Sequence, residues 1–305
     1  MNSVLLLPMS GVRDMLLREY LAAFVAPLGR RSSTGVAVVM ADEAVCWLDG
    51  GGEAMHRKAV ECGFKVHEWP SGGLATVVGL VGRSVMDLPH GSSTEVGLDG
   101  MECSAAVCEQ IIAGLRRSGG ITVRTNVSPW HLLRKTIAGV ATAATDAKTG
   151  TASVATAPVD VKTTGISVAT RLNSIRRALR ELHADGMLMA DSDDIAWALN
   201  LGWRNGDKAV NREYSTLAPL GYMIISTTDA TLYINNVSLS TDTSDYLRQN
   251  GIVLSTLGNV KQGLNDYFEQ TILMDSDEVC YTLLHATPRQ LIREASPVRG
   301  LRTSS

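Results

Sequence analysis

Two stretches of this sequence superimpose without a gap, and that constrains the fold more than anything else in it. Gly35–Gly50 lies over Gly221–Asn236, so that Gly35 matches Gly221, Ala44 matches Ala230 and Asp49 matches Asn235. The first copy holds two β-rich runs, Gly35–Met40 and Ala44–Leu48, about the polar turn Ala41-Asp42-Glu43. The second holds Tyr222–Ser226 and Thr231–Ile234 about Thr227-Thr228-Asp229-Ala230. Paired β-rich runs about a short polar turn read as a hairpin. Residue identity between the copies is weak; the agreement lies in the order of elements, since each hairpin runs on into a helix and a strand. A chain of 305 residues has room for two domains. We therefore expect two copies of one α/β domain, each with a mixed sheet built around an antiparallel hairpin.

Around the first hairpin, Val4–Leu7 reads as a strand, Asp14–Val25 and Glu53–Cys62 as helices, and Lys65–Trp69 as a strand. Thr76–Val85 is ambiguous between helix and strand, because valines satisfy either period. Glu95–Leu98 is a short strand, Ser104–Ser118 a helix ending at Gly119-Gly120, and Ile121–Thr125 a further strand. Around the second hairpin, Val168–Ala184 is an amphipathic helix and Gly186–Met189 a strand. Ser192–Asn200 is a helix whose opening acids suit the positive end of its dipole, and Thr243–Gly251 is a helix closed by its glycine. Between the copies, Ala141–Lys162 is nearly all Ala, Thr, Val, Asp, Lys and Gly, without helical or alternating period. We expect domains at 1–138 and 165–305 joined by a linker or mobile loop at 139–164.

A formal charge of −3 and an aromatic content of 5% disfavour nucleic-acid binding. No stretch approaches the ~20 apolar residues of a membrane span, and Val4–Leu7 followed by Pro8 is too short for a signal sequence. Cys46, Cys62, Cys103, Cys108 and Cys280 are odd in number and form no CxxC pair. They read as buried, reduced thiols of a cytoplasmic protein.

The chemistry-bearing residue types do not assemble into a recognisable catalytic motif. His56, His67, His90, His131, His183 and His285 show neither HExxH nor zinc-finger spacing. GxSxG, P-loop and GxGxxG motifs are missing. Gly50-Gly51-Gly52 before the Glu53 helix would suit an anion-binding nest, but tight turning is the better account of the glycines, with no Lys, Ser or Thr following within a turn. Asp193, Asp194, Asp275, Asp277 and Glu278 suggest carboxylate chemistry. Adjacent helical residues point apart, however, so Asp193 and Asp194 are expected to cap the helix and not to share one ion. Arg171, Arg176, Arg177 and Arg180 are expected on a solvated face, with Leu172, Ile175 and Leu179 as the buried stripe.

An ordered series of short motifs then resembles the aminopeptidase P family. Asp193-Asp194-Ile195-Ala196-Trp197-Ala198-Leu199-Asn200-Leu201 resembles that family's "DEIAWLLNLRG", and Arg204, Asp207 and Asn211 fall where it has the loop "RGSD…NP". Arg18–Ala22 resembles "SEYIA", Gly29–Val39 resembles "SGFTGSAGTAVV", Trp47–Gly50 resembles "WTDGRY" and Val96–Asp99 resembles "VGVDP". Ser296-Pro297 sits where the family ends its second domain. Departures are Gly51 and Gly52 for the Arg and Tyr of "WTDGRY", an inserted Gly202-Trp203, Arg212 for the loop proline, and an extra segment, Ser215–Leu220.

The resemblance implies an α/β fold of two tandem creatinase N-terminal-like domains (ribonuclease H-like motif), each a mixed β-sheet flanked by helices. In the family these precede a pita-bread catalytic domain with a two-metal centre, commonly manganese, that removes a residue preceding proline. The chain is expected to stop where that domain would start, so none of the metal ligands and no catalytic residue carries over. Arg204, Asp207 and above all Asn211 are the implied substrate-facing residues; Trp197 reads as core.

Three functions follow as expectations. The first is the non-catalytic N-terminal region of an Xaa-Pro aminopeptidase, inactive alone, restricting access to the active site and contributing to assembly. Its expected partners are the parent's catalytic domain and a second copy in a homodimer, with proline-containing peptides as the parent's substrate. The second is a free-standing pseudoenzyme or binding module of the same descent. The third is a small-molecule binder using the Gly50–Gly52 turn.

Overall fold

The computed structural model describes residues 3–8, 34–40, 43–49, 52–61, 63–86, 94–127, 156–158, 165–205, 208–210, 221–234, 239–267, 269–286 and 290–303. The expected helix Asp14–Val25 lies outside them. The chain divides into two compact units, one of residues 1–147 with 280–282, the other of residues 148–279 with 283–305.

The first unit is built on β1 (Ser3–Pro8), β2 (Thr34–Val39), β3 (Ala44–Asp49), α1 (Gly52–Glu61), β4 (Phe64–Glu68), α2 (Gly73–Met86), β5 (Thr94–Gly97), α3 (Ala105–Arg117) and β6 (Ile121–Arg124). Its six strands lie in the order β4-β3-β2-β1-β5-β6. The β1-β2 and β2-β3 pairs are antiparallel and the other three parallel. Strand alternation decides which side chain meets which helix. Val36 and Val38 join the cluster of Val77, Val81, Ile111 and Leu115 from α2 and α3, whereas Ala37, Cys46 and Leu48 face Ala59 of α1. The ambiguous Thr76–Val85 stretch is helix α2, burying Val77, Val78, Val81 and Val85 along one face. Its valines disguise the helix because their β-branching suits a strand as well.

The second unit contains β7 (Thr156–Pro158), α4 (Val168–Glu181), β8 (Gly186–Met189), α5 (Ser192–Ala198), β9 (Leu201–Asn205), β10 (Lys208–Val210), β11 (Tyr222–Ser226), β12 (Ala230–Ile234), α6 (Thr241–Gln249), β13 (Val253–Thr256), α7 (Val260–Asn265), β14 (Thr271–Met274), the part of α8 (Tyr281–His285) from Leu283 onward, β15 (Gln290–Ile292) and α9 (Pro297–Thr303). Its large sheet runs β13-β12-β11-β8-β14-β15. Substituting each strand for its counterpart reproduces the first unit's order and its pattern of parallel and antiparallel pairs.

The register repeats too. Val36 opposes Trp47 in the first hairpin, and adding 186 to each number gives Tyr222 opposite Tyr233 in the second. A slip of one residue would turn every side chain to the wrong face, so conserved register means a common core plan.

Two expectations need correction. Thr156–Pro158, inside the segment expected to be a linker, is strand β7, which pairs with β9 in a small sheet β10-β9-β7. The three-residue strand is too short to leave a periodic signal. Helix α4 ends at Glu181 and not at Ala184, because His183 adopts φ 54 and turns the chain out of the helix.

Helix α6 begins where Ser240 Oγ accepts a hydrogen bond from Thr243 N at 3.2 Å. Ser240→Ala should therefore lower the second unit's stability by about 1 kcal/mol, read as a shifted urea midpoint; an unchanged midpoint would dismiss the cap.

Candidate functional site

Helix α5 and the C-terminal helix α9 bring charged side chains together in the second unit. Asp191, just before α5, accepts from the amides of Asp193 at 2.8 Å and Asp194 at 3.0 Å. The cap is thus Asp191, and not the two acids expected to cap the helix. Their carboxylates do share one cation: Arg302 Nη1 lies 3.2 Å from Asp194 Oδ1 and 3.8 Å from Asp193 Oδ2. A long guanidinium stem from α9 reaches both, which overrides the divergence of neighbouring helical positions.

The remaining acids converge on the same helix. Ser296 donates its amide to Asp275 Oδ2 at 2.9 Å and its hydroxyl to Asp194 Oδ2 at 3.3 Å. Asp275 also accepts from the Asp277 amide at 2.9 Å, and Arg299 Nη2 donates to Glu278 Oε1 at 2.9 Å. Burial is the main cause that pushes the Glu278 carboxyl up to about 8, with Asp194, Asp275 and Asp191 adding to it and Arg299 opposing. Burial likewise pushes Asp194 up to about 6, reinforced by Asp191 and opposed by Arg302 and Ser296. The sequence had marked these acids; it gave no sign of Arg299 and Arg302, which are single residues in an unremarkable C-terminal stretch.

Chemically this is an ionic lattice that seats a helix. Among the described residues, no group of three or more His, Cys, Asp or Glu could hold a metal ion. A two-metal centre of the aminopeptidase type therefore has no ligand set within them.

The other marked residues separate. Arg204 lies in β9, its backbone opposite Ala209, while Asp207 and Asn211 lie outside the described residues, as do Gly50 and Gly51. Arg171 overturns the expected solvated face. It is buried at 4% exposure, its Nη1 donates to the Trp197 carbonyl, and its guanidinium carbon lies 4.8 Å from the Trp197 ring centroid. Arg176 donates to the carbonyls of Ser226 at 3.1 Å and Thr228 at 3.0 Å, and Arg177 and Arg180 are exposed as expected. Trp197 is core, as expected. His67 stacks on Trp47 with centroids 5.6 Å apart. Cys46, Cys103, Cys108 and Cys280 are buried and outside any disulfide, in keeping with the packing role expected of them. Among the described residues no helix is long and apolar enough to cross a membrane.

Comparison with known proteins decides the descent of this arrangement. The family model for the creatinase/prolidase N-terminal domain matches residues 151–304, half of the chain, and takes in α5, the acid cluster and α9. The chain belongs to the creatinase/prolidase N-terminal domain family. Sequence relatives include a probable Xaa-Pro aminopeptidase P of Verticillium alfalfae, 34% identical over 83 residues, and one of Podospora anserina, 31% identical over 88. These stretches are 27% and 29% of this chain and 12% of each relative. The fold is shared with the X-prolyl aminopeptidase of Caenorhabditis elegans, described as a cytosolic enzyme with a di-nuclear active site. The TM-score is 0.70 at 15% identity, over 98% of this chain and 46% of that one. The chain thus spans about half the length of that structure. The resemblance read from the motifs is borne out at the level of an N-terminal, aminopeptidase P-like region, and so is the expected creatinase-like α/β fold.

Proposed function

We propose that this creatinase-family chain is the non-catalytic N-terminal region of an Xaa-Pro aminopeptidase, working in the cytoplasm. In this reading it restricts access to the active site of a catalytic domain and contributes to subunit contacts, including a homodimer. The metal-dependent hydrolysis of the bond before proline, with manganese or another divalent ion, belongs to that catalytic domain. Its substrates are proline-containing peptides, which Arg204, Asp207 and Asn211 face.

The observation that carries the reading is the pair of six-stranded sheets with one strand order and one hairpin register, since a duplicated scaffold of this kind is shared with the X-prolyl aminopeptidase structure. The ionic lattice at α9 supports it as well, because its carboxylates are engaged by arginines and backbone amides instead of standing open to a substrate.

Two measurements test it. The isolated chain, given an Xaa-Pro peptide and Mn²⁺, should show no turnover; cleavage would overturn the reading. In an enzyme that joins this region to a catalytic domain, Asn211→Ala should raise KM severalfold and leave kcat nearly unchanged, the signature of lost uniform binding. Unchanged KM would remove Asn211 from the substrate path.

A further inference from the structure

Helix α9 is short, and its apolar hold on the second unit centres on Val298, fully buried, with Leu301 packed against the core. The rest of its attachment is polar. Arg299 meets Glu278 and Arg302 meets Asp194 and Asp193, while Ser296, just ahead of the helix, bonds to Asp194 and Asp275. The side chains of Asp194 and Glu278 are nearly sealed from water, at 2% and 8% exposure. With Asp191 and Asp275 alongside and Asp193 at the rim, five carboxylates gather where α9 supplies two guanidinium groups.

Like charges at this density cannot all ionise in a water-poor site without repulsion that two cations leave uncompensated. Lifting α9 would open Glu278 and Asp194 to solvent, where a carboxyl ionises freely near pH 4. We propose that α9 is a proton-coupled latch: seated on Glu278 and Asp194, it keeps a proton in the carboxylate cluster, and lifting it sets that proton free.

The facing groups fix the direction. Glu278 is faced by Asp191, Asp194, Asp275 and Arg299, and its carboxyl in the seated state is pushed up to about 8. Asp194 is faced by Asp191, Arg299, Arg302 and Ser296, and is pushed up to about 6. For an acid raised on seating, the stabilisation is fully present below the unseated value and is lost as pH rises through the seated value. The latch is therefore tightest below about pH 4 and loosens progressively from there to about pH 8, although its ion pairs alone would suggest the reverse.

Hydrogen exchange on the full chain, followed in peptides covering residues 297–303 and corrected for intrinsic exchange, tests this. The opening equilibrium of α9 should rise at least about tenfold from pH 6 to pH 8, the ceiling for one proton being tenfold per pH unit. In Glu278→Gln, which mimics the protonated acid, α9 should stay protected at pH 8 and the slope should flatten. Protection that is flat or grows with pH in the natural chain would overturn the proposal, as would a Glu278→Gln variant with an unchanged slope. Should that variant fail to fold, the ¹³C-carboxyl titration of Glu278 in the natural chain decides. A midpoint above pH 6.5 supports the latch, and a lower one ends it.

Discussion

Gly221→Ala should cost the second unit about 3 kcal/mol or more, a loss in the class caused by strain at a special backbone position. Gly221 has φ +111, a conformation that side chains of L-residues rarely adopt, and it stands immediately before β11. A Cβ built there falls 2.0 Å from the carbonyl oxygen of Tyr233, in the neighbouring strand β12. That oxygen belongs to the paired backbone of the hairpin, so relief would require pulling apart the two strands that define the duplicated plan. Gly251→Ala is the control: its φ is +75 but nothing lies within 4 Å of an added Cβ. It should lose only about 1 kcal/mol, the conformational cost alone. Urea unfolding of both variants checks the pair. Equal losses would mean that the contact between Gly221 and Tyr233 is not as close as the hairpin register requires.

The second large effect is expected at Arg171, where alanine should destabilise the second unit by about 2–4 kcal/mol. The guanidinium lies over the face of Trp197 and donates to that residue's carbonyl, joining α4 to α5 inside the core. Alanine removes the stacked plane and the donor together and leaves a void beside the Trp197 carbonyl, which still accepts from the Asn200 amide at 3.2 Å. Lysine should recover little, because an ammonium has neither the planar face for the ring nor the fork to reach the carbonyl. Thermal unfolding of both variants is the measurement. A change within about 0.5 kcal/mol for alanine would return Arg171 to the solvated face that helical periodicity had indicated.

Arg171 also shows how far a pattern of residues can be read. The stripe Leu172, Ile175 and Leu179 is where periodicity placed it. An arginine beside such a stripe is assigned to solvent unless its partner is known, and the partner is 26 residues away in another helix. The acid cluster has the same character. Asp193, Asp194, Asp275 and Glu278 were visible as acids, yet what they do depends on Arg299 and Arg302, and the bond from Ser296 to Asp194 joins residues 102 apart. The Asp193-Asp194 pair was expected not to share an ion because local geometry separates the two side chains. A flexible guanidinium arriving from α9 spans that separation.

By itself, the sequence determined that the chain holds two α/β units of one plan, each built around a hairpin with a polar turn. Those features depend on contacts between near neighbours: alternation along a strand, a polar turn, a glycine at a helix end. Only the tertiary structure decided that the valine-rich stretch 73–86 is a helix, that Thr156–Pro158 joins a small sheet, and that the arginines of α4 and α9 reach inward to particular partners. Whether a buried charge is tolerated depends on which opposite charge or carbonyl the fold brings to it, and sequence spacing carries no record of that distance.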